Sequence, residues 1–211
     1  MKTEIFKMTD SDIDIDGLNK CASFLAKGNV IAFPTETVYG IGANALIEEA
    51  CINIYELKGR PSNKGLICHL YDPSQGEEIA FMDVRAYKLF EKFSPGPLTV
   101  VLRKKNILCS TVTGGLDTVA LRMPSNKIFI ELAKRCKFPI AGTSANISSQ
   151  PSPKECGSVV NTFDGIIPAI IDGGRTTVGV ESTIVSLVKD KPEILRVGAI
   201  SPQEIGKVID L

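Results

Sequence analysis

Residues 29–57 read NVIAFPTETVYGIGANALIEEACINIYEL and combine the two periodicities of an α/β protein. Residues 29–34 form a short apolar run, which is typical of a buried strand. In residues 48–57, Cys51, Ile54 and Leu57 recur at helical spacing and predict a helix with one apolar face. The stretch therefore predicts a strand followed by a helix, which is the repeating unit of α/β folds.

The same alternation continues through the chain. Further helices are predicted at residues 18–25, 84–93, 128–136 and about 153–162, with a short terminal helix from Pro202. Further strands are predicted at residues 66–70, 98–102, 119–123, 138–141, 166–171, 183–188 and 193–197, the last two joined by a hairpin turn. We expect one α/β domain over residues 1–211, with a mixed parallel and antiparallel sheet flanked by helices.

Composition narrows the function classes. Lys and Arg number 24, as do Asp and Glu, so the chain lacks the basic excess of proteins that grip long stretches of nucleic acid. Six scattered cysteines and a single histidine predict reduced thiols and no protein-bound metal centre. Residues 1–17 mix charges without an apolar core, and no apolar run approaches the roughly 20 residues of a membrane span. We expect a cytoplasmic protein with no membrane partner.

No glycine-rich phosphate-binding loop is present. GxxxxGK[ST] is absent, and residues 40–44, GIGAN, lack the third glycine of a dinucleotide fingerprint. Side chains must therefore supply the positive charge if the protein binds a nucleotide. Polar clusters after predicted strands are the candidates, beginning with Thr37 in the segment PTETVYG. The alternative for this segment is a turn that caps the next helix.

A compact group of cations follows the helix at residues 48–57. Lys58, Arg60 and Lys64 lie where Gly59 and Pro61 end helical geometry, so they suit phosphate binding. The alternative is favourable placement of cations at a helix C-terminus.

Strand alternation places Thr118 and Arg122 on one face of the strand at residues 119–123. An arginine in so apolar a strand needs a partner, because an unpaired buried guanidinium is very costly. A bound carboxylate and a structural Asp or Glu both satisfy this requirement.

Small hydroxyl residues mark two further strand edges. Ser144 and Asn146 follow one predicted strand, and Ser182 precedes another. Ordinary turns have the same composition, so each signal alone is weak. His69, the single histidine, is typical of a satisfied core residue as well as of a binding group.

Taken together, these segments resemble the YrdC/TsaC-type threonylcarbamoyl-AMP synthases in their short, single-domain form. That family has a KxR…SxN signature with PTETVYG, PGPLT, LRMP, GVEST and LRxG segments. The corresponding stretches here are residues 58–60, 144–146, 34–40, 95–99, 121–124, 179–183 and 195–198. The match extends from about residue 29 to residue 198, and colinear motifs are far more specific than any single one.

The resemblance implies a YrdC-like open fold, a twisted mixed sheet around a basic cavity. It implies formation of threonylcarbamoyl-AMP and pyrophosphate from L-threonine, bicarbonate and ATP, with Mg²⁺ assisting. A tRNA threonylcarbamoyl-transferase complex would then modify tRNAs that read ANN codons, with transient contact between the two proteins and weak RNA binding as further expectations. Arg122 would hold the threonine carboxylate by a bidentate pair.

The resemblance also implies residue roles. Lys58 and Arg60 would be catalytic. The threonine site would use Thr37, His69, Arg122, Gly142 and Ser182. The ATP site would use Arg60, Lys64, Thr118, Ser144, Asn146, Ser152 and Arg196.

Departures and rival hypotheses remain. The family often has Asn-Pro where Lys64-Gly65 stands here, which affects only the contact made by Lys64. Longer relatives add a linker and a second domain. Because the chain stops at Leu211, we expect a site without the lid that such a linker supplies.

Two rival hypotheses remain. One is an inactive paralogue, which typically lacks an intact KxR and SxN. The other is a double-stranded RNA-binding module, which zero net charge disfavours.

Overall fold

A computed structural model describes residues 2–211. Strands and helices alternate along the chain, as the periodicity predicts. The strands of the described residues are β1 (Glu4–Lys7), β2 (Ile31–Phe33), β3 (Gly40–Asn44), β4 (Ile67–His69), β5 (Leu98–Arg103), β6 (Thr118–Arg122), β7 (Ile140–Ser144), β8 (Ala169–Asp172), β9 (Thr183–Ser186) and β10 (Glu193–Arg196). The helices are α1 (Ile15–Ala26), α2 (Glu48–Lys58), α3 (Pro73–Ile79), α4 (Val84–Phe93), α5 (Ser110–Thr113), α6 (Lys127–Cys136), α7 (Cys156–Phe163) and α8 (Pro202–Gly206).

The strands form one ten-stranded sheet in the order β1-β8-β2-β3-β7-β4-β6-β5-β9-β10. Strand β8 runs parallel to β1 and β2, β4 runs parallel to β6, and β5 runs parallel to β9. The remaining neighbours are antiparallel, including the closing hairpin of β9 and β10. The predicted α/β fold with a mixed sheet is confirmed.

Two hydrophobic cores cover the two faces of this sheet. Ile31 and Phe33 of β2 belong to one core and Ala32 to the other, because successive side chains of a strand point to opposite faces. Helices α1 and α6 pack over the first core, whereas α2, α4 and α7 pack over the second. With both faces covered by helices, the ends of the central strands are the places left for a ligand.

Strand β3 shows what the glycines of the GIGAN segment do. All five of its residues are buried, and it pairs with both β2 and β7. A Cβ on Gly40 would lie 2.6 Å from the Phe33 ring, and one on Gly42 would lie 2.8 Å from the Ala141 carbonyl oxygen. These glycines therefore permit close packing in the centre of the sheet.

Periodicity did not predict β1, β3, α3 or α5. Strand β1 is a four-residue edge strand whose partner β8 lies 165 residues away in sequence. Helices α3 and α5 have seven and four residues, which is too short for a clear helical repeat. Within residues 2–211, each helix is too short or too polar to cross a lipid bilayer.

Candidate active site

A cleft lies among the ends of the central strands β3, β4, β6 and β7. It has an empty volume of about 420 Å³ and is named here the inner pocket. Five residues singled out from the sequence meet in its wall, from four different strands and a loop. The lining residues are Thr35, Val38, Tyr39, Gly40, Ile67, His69, Arg122, Thr143, Ser144, Glu181, Ser182 and Arg196.

Arg122, the last residue of β6, is only 4% exposed. Its NH2 nitrogen donates to Glu36 Oε1 at 2.7 Å and to Thr37 Oγ1 at 2.8 Å, and its Nε lies 3.4 Å from the Gly96 carbonyl oxygen. The sequence left a ligand carboxylate or a structural acid as the partner, and the structure supplies Glu36. Among the described residues, the NH1 nitrogen has no acceptor, so it is the donor available to a ligand.

His69 ends β4 beside Arg122 in the sheet and is 4% exposed. Its ring packs edge-on against Phe33 and Phe129, and Nδ1 lies 3.3 Å from the Ile140 carbonyl oxygen. Burial, with the Arg122 charge beside it, lowers the pKa of His69 to about 3. The imidazole is therefore neutral near pH 7 and offers shape and hydrogen bonding instead of charge.

Ser182 is held on the wall of the inner pocket by two neighbours. Its hydroxyl lies 2.7 Å from Thr99 Oγ1 and accepts a hydrogen bond from Arg196 NH2 at 3.1 Å. Arg196 Nε also donates to the Ser182 carbonyl oxygen at 3.0 Å. These contacts fix the direction of the Ser182 hydroxyl before any ligand arrives.

A second cavity, named here the outer pocket, has an empty volume of about 820 Å³. It adjoins the inner pocket, because Ser144 and Glu181 line both. The cations predicted from residues 58–64 meet the predicted SxN segment here. The lining residues are Lys58, Gly59, Arg60, Pro61, Lys64, Ser144, Asn146, Ser148, Ser149, Gln150, Ser152 and Glu181.

Lys58, the first residue of the KxR motif, is hydrogen-bonded to the backbone of the SxN motif. Its side chain is buried, and Nζ donates to the backbone carbonyl oxygens of Ser144 and Asn146. Burial, with the Arg60 charge nearby, lowers the pKa of Lys58 to about 8. Lys58 therefore positions the loop that carries Ser144 and Asn146.

Arg60 braces the loop that follows α2. Its Nε donates to the Lys64 carbonyl oxygen at 3.0 Å, and its NH2 donates to the Gly65 carbonyl oxygen at 2.9 Å. Lys64 itself is exposed, and its side chain makes no hydrogen bond within the part of the chain that the structure describes. The two cations thus differ: Arg60 shapes the loop as well as adding charge, and Lys64 adds charge alone.

Two carboxylates were missed by sequence reasoning. Glu36 is paired with Arg122, and Glu181 is paired with Arg196 at 2.5 Å while accepting from Ser152 Oγ at 2.7 Å. Both lie in polar segments that the sequence analysis singled out. The need of Arg122 for a partner predicted an acidic residue, but sequence spacing could not identify that residue as Glu36.

Of the remaining predicted residues, Thr37 and Gly142 lie beside residues of the inner pocket, whereas Thr118 lies apart from both pockets. Thr37 reaches Arg122, and a Cβ on Gly142 would lie 3.4 Å from the His69 ring. Thr118 begins β6, about 13 Å along the strand from Arg122, and lines neither pocket. Its assignment to the nucleotide stays a prediction.

Known proteins of one family are similar to this chain in sequence. A family model for Sua5, YciO and YrdC proteins, described as telomere recombination, matches residues 23–198. The chain belongs to this family. A threonylcarbamoyl-AMP synthase from Pyrococcus abyssi is 48% identical over 89% of this chain and 56% of its own length. A Methanocaldococcus jannaschii relative is 32% identical over 98% of this chain and 99% of its own.

The family fold is also seen in a solved structure. The crystal structure of P. abyssi Sua5 complexed with L-threonine has a TM-score of 0.96 and 45% identity to this chain. That match covers 99% of this chain and 61% of the P. abyssi chain. The chain thus spans little more than half the length of these P. abyssi members of the family.

Proposed function

We propose that this chain is an L-threonylcarbamoyladenylate synthase, a nucleotidyltransferase that forms threonylcarbamoyl-AMP and pyrophosphate from L-threonine, bicarbonate and ATP. The observation that carries the proposal is the junction of the two pockets at Ser144 and Glu181. The inner pocket has a buried polar wall that suits a small amino acid, and the outer pocket has cations that suit phosphates. The name of the P. abyssi relative and the L-threonine bound to P. abyssi Sua5 support the same assignment.

L-Threonine occupies the inner pocket in this proposal. Its carboxylate binds NH1 of Arg122, because NH2 is already bonded to Glu36 and Thr37. The two-pronged contact predicted from the sequence is therefore replaced by a contact to one nitrogen. The fixed hydroxyl of Ser182 and the Gly142–Thr143 backbone offer further hydrogen bonds, and His69 forms an uncharged wall.

ATP occupies the outer pocket. Arg60 and Lys64 provide charge for its phosphates, and Ser144, Asn146 and Ser152 provide hydrogen bonds. Arg196, which lines the adjoining inner pocket, and Thr118 are further predicted contacts. Lys58 acts mainly through the loop that it holds, since its ammonium group is buried against two carbonyl oxygens. The phosphate side of the site is therefore built from side chains, as the absence of a glycine-rich loop predicts.

The reaction joins two anions. The threonine ammonium group loses a proton to solvent, and the resulting amine adds to bicarbonate while water leaves, which yields a carbamate. A carbamate oxygen then bonds to the α-phosphorus while the bond from phosphorus to pyrophosphate breaks. Cations around the junction of the pockets offset the repulsion and hold the reactants together. Lys58, Arg60 and Arg196 are placed to do this.

Mg²⁺ supplied with ATP would neutralise phosphate charge. Within residues 2–211, no three His, Cys, Asp or Glu side chains gather to hold a metal by themselves. This donor set fits an ion that is held mainly by the nucleotide, with Glu181 as the acidic side chain that lines the outer pocket.

The wider role follows from the same assignment. The product would pass to a transferase complex that modifies tRNAs reading ANN codons, in the cytoplasm. Both hydrophobic cores flank one continuous sheet, which supports a single domain over residues 1–211. A net charge of zero favours small-molecule chemistry over a main role in RNA binding, so RNA contacts would be weak.

Pyrophosphate release tests the proposed reaction directly. We expect release from ATP only when both L-threonine and bicarbonate are present, because the carbamate is the attacking group. A coupled pyrophosphate assay would compare threonine with serine, glycine and no amino acid. An equal rate with any of these three would contradict threonine specificity.

Lys58 makes nucleotide binding depend on pH. With a pKa of about 8, its ammonium group is charged at pH 7 and largely neutral at about pH 9. Above pH 8 the site loses one positive charge and the charge-assisted part of both loop hydrogen bonds. We therefore expect the Kd for ATP to rise between about pH 7 and about pH 9, measured by calorimetry.

A pair of variants separates Lys58 from other titrating groups. Lys58→Met should bind ATP more weakly at pH 7 and lose most of the pH dependence, whereas Lys64→Ala should keep it. An unaltered pH dependence in a folded Lys58→Met protein would show that another group is responsible.

A further inference from the structure

Glu36 stands behind the wall of the inner pocket and is 5% exposed. Its Oε1 accepts from Arg122 at 2.7 Å, and its Oε2 accepts from the backbone N–H of Ser125 at 3.1 Å. Its backbone carbonyl oxygen accepts from Val178. The side chain is therefore held at both oxygens and is not among the residues that line the pocket.

This placement determines how Arg122 faces a ligand. Glu36 and Thr37 use both hydrogens of NH2, and Gly96 lies against Nε. A planar guanidinium held at two nitrogens can present its third nitrogen in only one direction. Among residues 2–211, NH1 has no acceptor, and Arg122 lines the inner pocket.

Glu36 also sets the charge of the inner pocket. The lining includes two arginines, Arg122 and Arg196, and each has its own carboxylate, Glu36 and Glu181. His69 is neutral near pH 7. The charges of these two arginines and their two carboxylates therefore cancel. A pocket of balanced charge suits a zwitterion, which carries no net charge, better than an inorganic anion or a triphosphate.

We propose that Glu36 is a positioning and specificity-determining residue, which aims Arg122 at the carboxylate of a zwitterionic amino acid and cancels the charge that would otherwise attract phosphate into the inner pocket. The inference rests on the proposed function and extends it. It explains how one site keeps the amino acid and the phosphates of ATP in separate pockets that share two residues.

The test replaces the Glu36 carboxylate by an amide of the same shape. In Glu36→Gln, we expect threonine affinity to fall about tenfold, because the amide nitrogen cannot accept from the Ser125 N–H and the neutral side chain holds Arg122 less firmly in its aimed position. We also expect inorganic phosphate to become a competitor of threonine, because Arg122 is left without its counter-charge. Calorimetric titration of threonine with and without phosphate measures both effects, and a purely structural role would produce only the first.

Two controls keep the outcomes distinct. Glu36→Asp keeps the charge but is shorter, so it should weaken threonine binding without admitting phosphate. Glu49→Gln makes the same charge change on the exposed surface of α2 and should alter neither. If Glu36→Gln does not fold, unchanged threonine affinity in Glu36→Asp overturns the positioning role.

The two proposals fail differently. Failure of the wild-type protein to bind threonine would overturn the proposed function and this inference with it. Threonine binding by the wild type, together with unchanged threonine affinity and no phosphate competition in a folded Glu36→Gln protein, would overturn the inference alone.

Discussion

Arg122→Lys is expected to weaken L-threonine binding by about 10- to 150-fold while the protein remains folded. A lysine keeps the positive charge, and its ammonium group can remain against Glu36. It cannot also donate to Thr37 and present a second, rigidly aimed nitrogen to a ligand carboxylate. The loss of a hydrogen bond between charged groups costs about 1.5–3 kcal/mol, which sets the expected range. Calorimetry with L-threonine, accompanied by a melting curve, measures both quantities.

The same variant separates the enzyme from the RNA-binding hypothesis. Lysine serves a phosphate group nearly as well as arginine does, so an RNA-binding role would leave duplex-RNA affinity unaltered. Unchanged threonine affinity in a well-folded Arg122→Lys protein would remove this residue from the threonine site. If neither protein binds threonine and both bind RNA, the enzyme proposal fails as well.

Arg60→Ala is expected to weaken ATP binding by about 1.5–3 kcal/mol, or roughly 10- to 150-fold. The guanidinium adds charge to the outer pocket and braces the Lys64 and Gly65 carbonyl oxygens, so both effects act in the same direction. Lys64→Ala is the matched control, because Lys64 is exposed and its side chain braces nothing in residues 2–211. We expect a loss below about 1 kcal/mol for that variant, as for other exposed charges.

Threonine affinity distinguishes a local effect of Arg60→Ala from a general one. The inner pocket does not include Arg60, so threonine binding should be retained in the variant. Unchanged ATP affinity would refute the role of Arg60, and equal losses for ATP and threonine would show a disturbed fold.

The sequence predicted the fold where segments were long and periodic. Helix α2 and the hairpin of β9 and β10 are examples, since each rests on local spacing or on a turn. Strand β3 was missed because its glycines hide the periodicity of a strand. These glycines leave space for the Phe33 ring on the neighbouring strand, which a Cβ at either position would crowd. A contact between strands cannot be recognised before the order of strands is known.

Motif order placed most of the candidate site but could not supply its ion pairs. Glu36 and Arg122 are 86 residues apart, and they meet because β3, β7, β4 and β6 are neighbours in the sheet. The net charge of the inner pocket therefore depends on the order of the strands in the sheet, which brings Glu36 to Arg122. Lys58 shows the same limit: its residue type suggested a phosphate contact, and spacing could not show that its ammonium group is also buried against two carbonyl oxygens.

The contacts of Arg196 and Glu181 have a thermodynamic consequence. Arg196 donates to Ser182 beside the proposed threonine site, and Glu181 accepts from Ser152 beside the proposed nucleotide site, so one ion pair connects the two proposed ligand sites. A ligand that shifts either partner changes the free energy of binding at the other site. By linkage, the factor by which threonine alters ATP affinity must equal the factor by which ATP alters threonine affinity. Substitution of Glu181 by Gln should therefore change both factors equally, even though its carboxylate touches only one of the two serines.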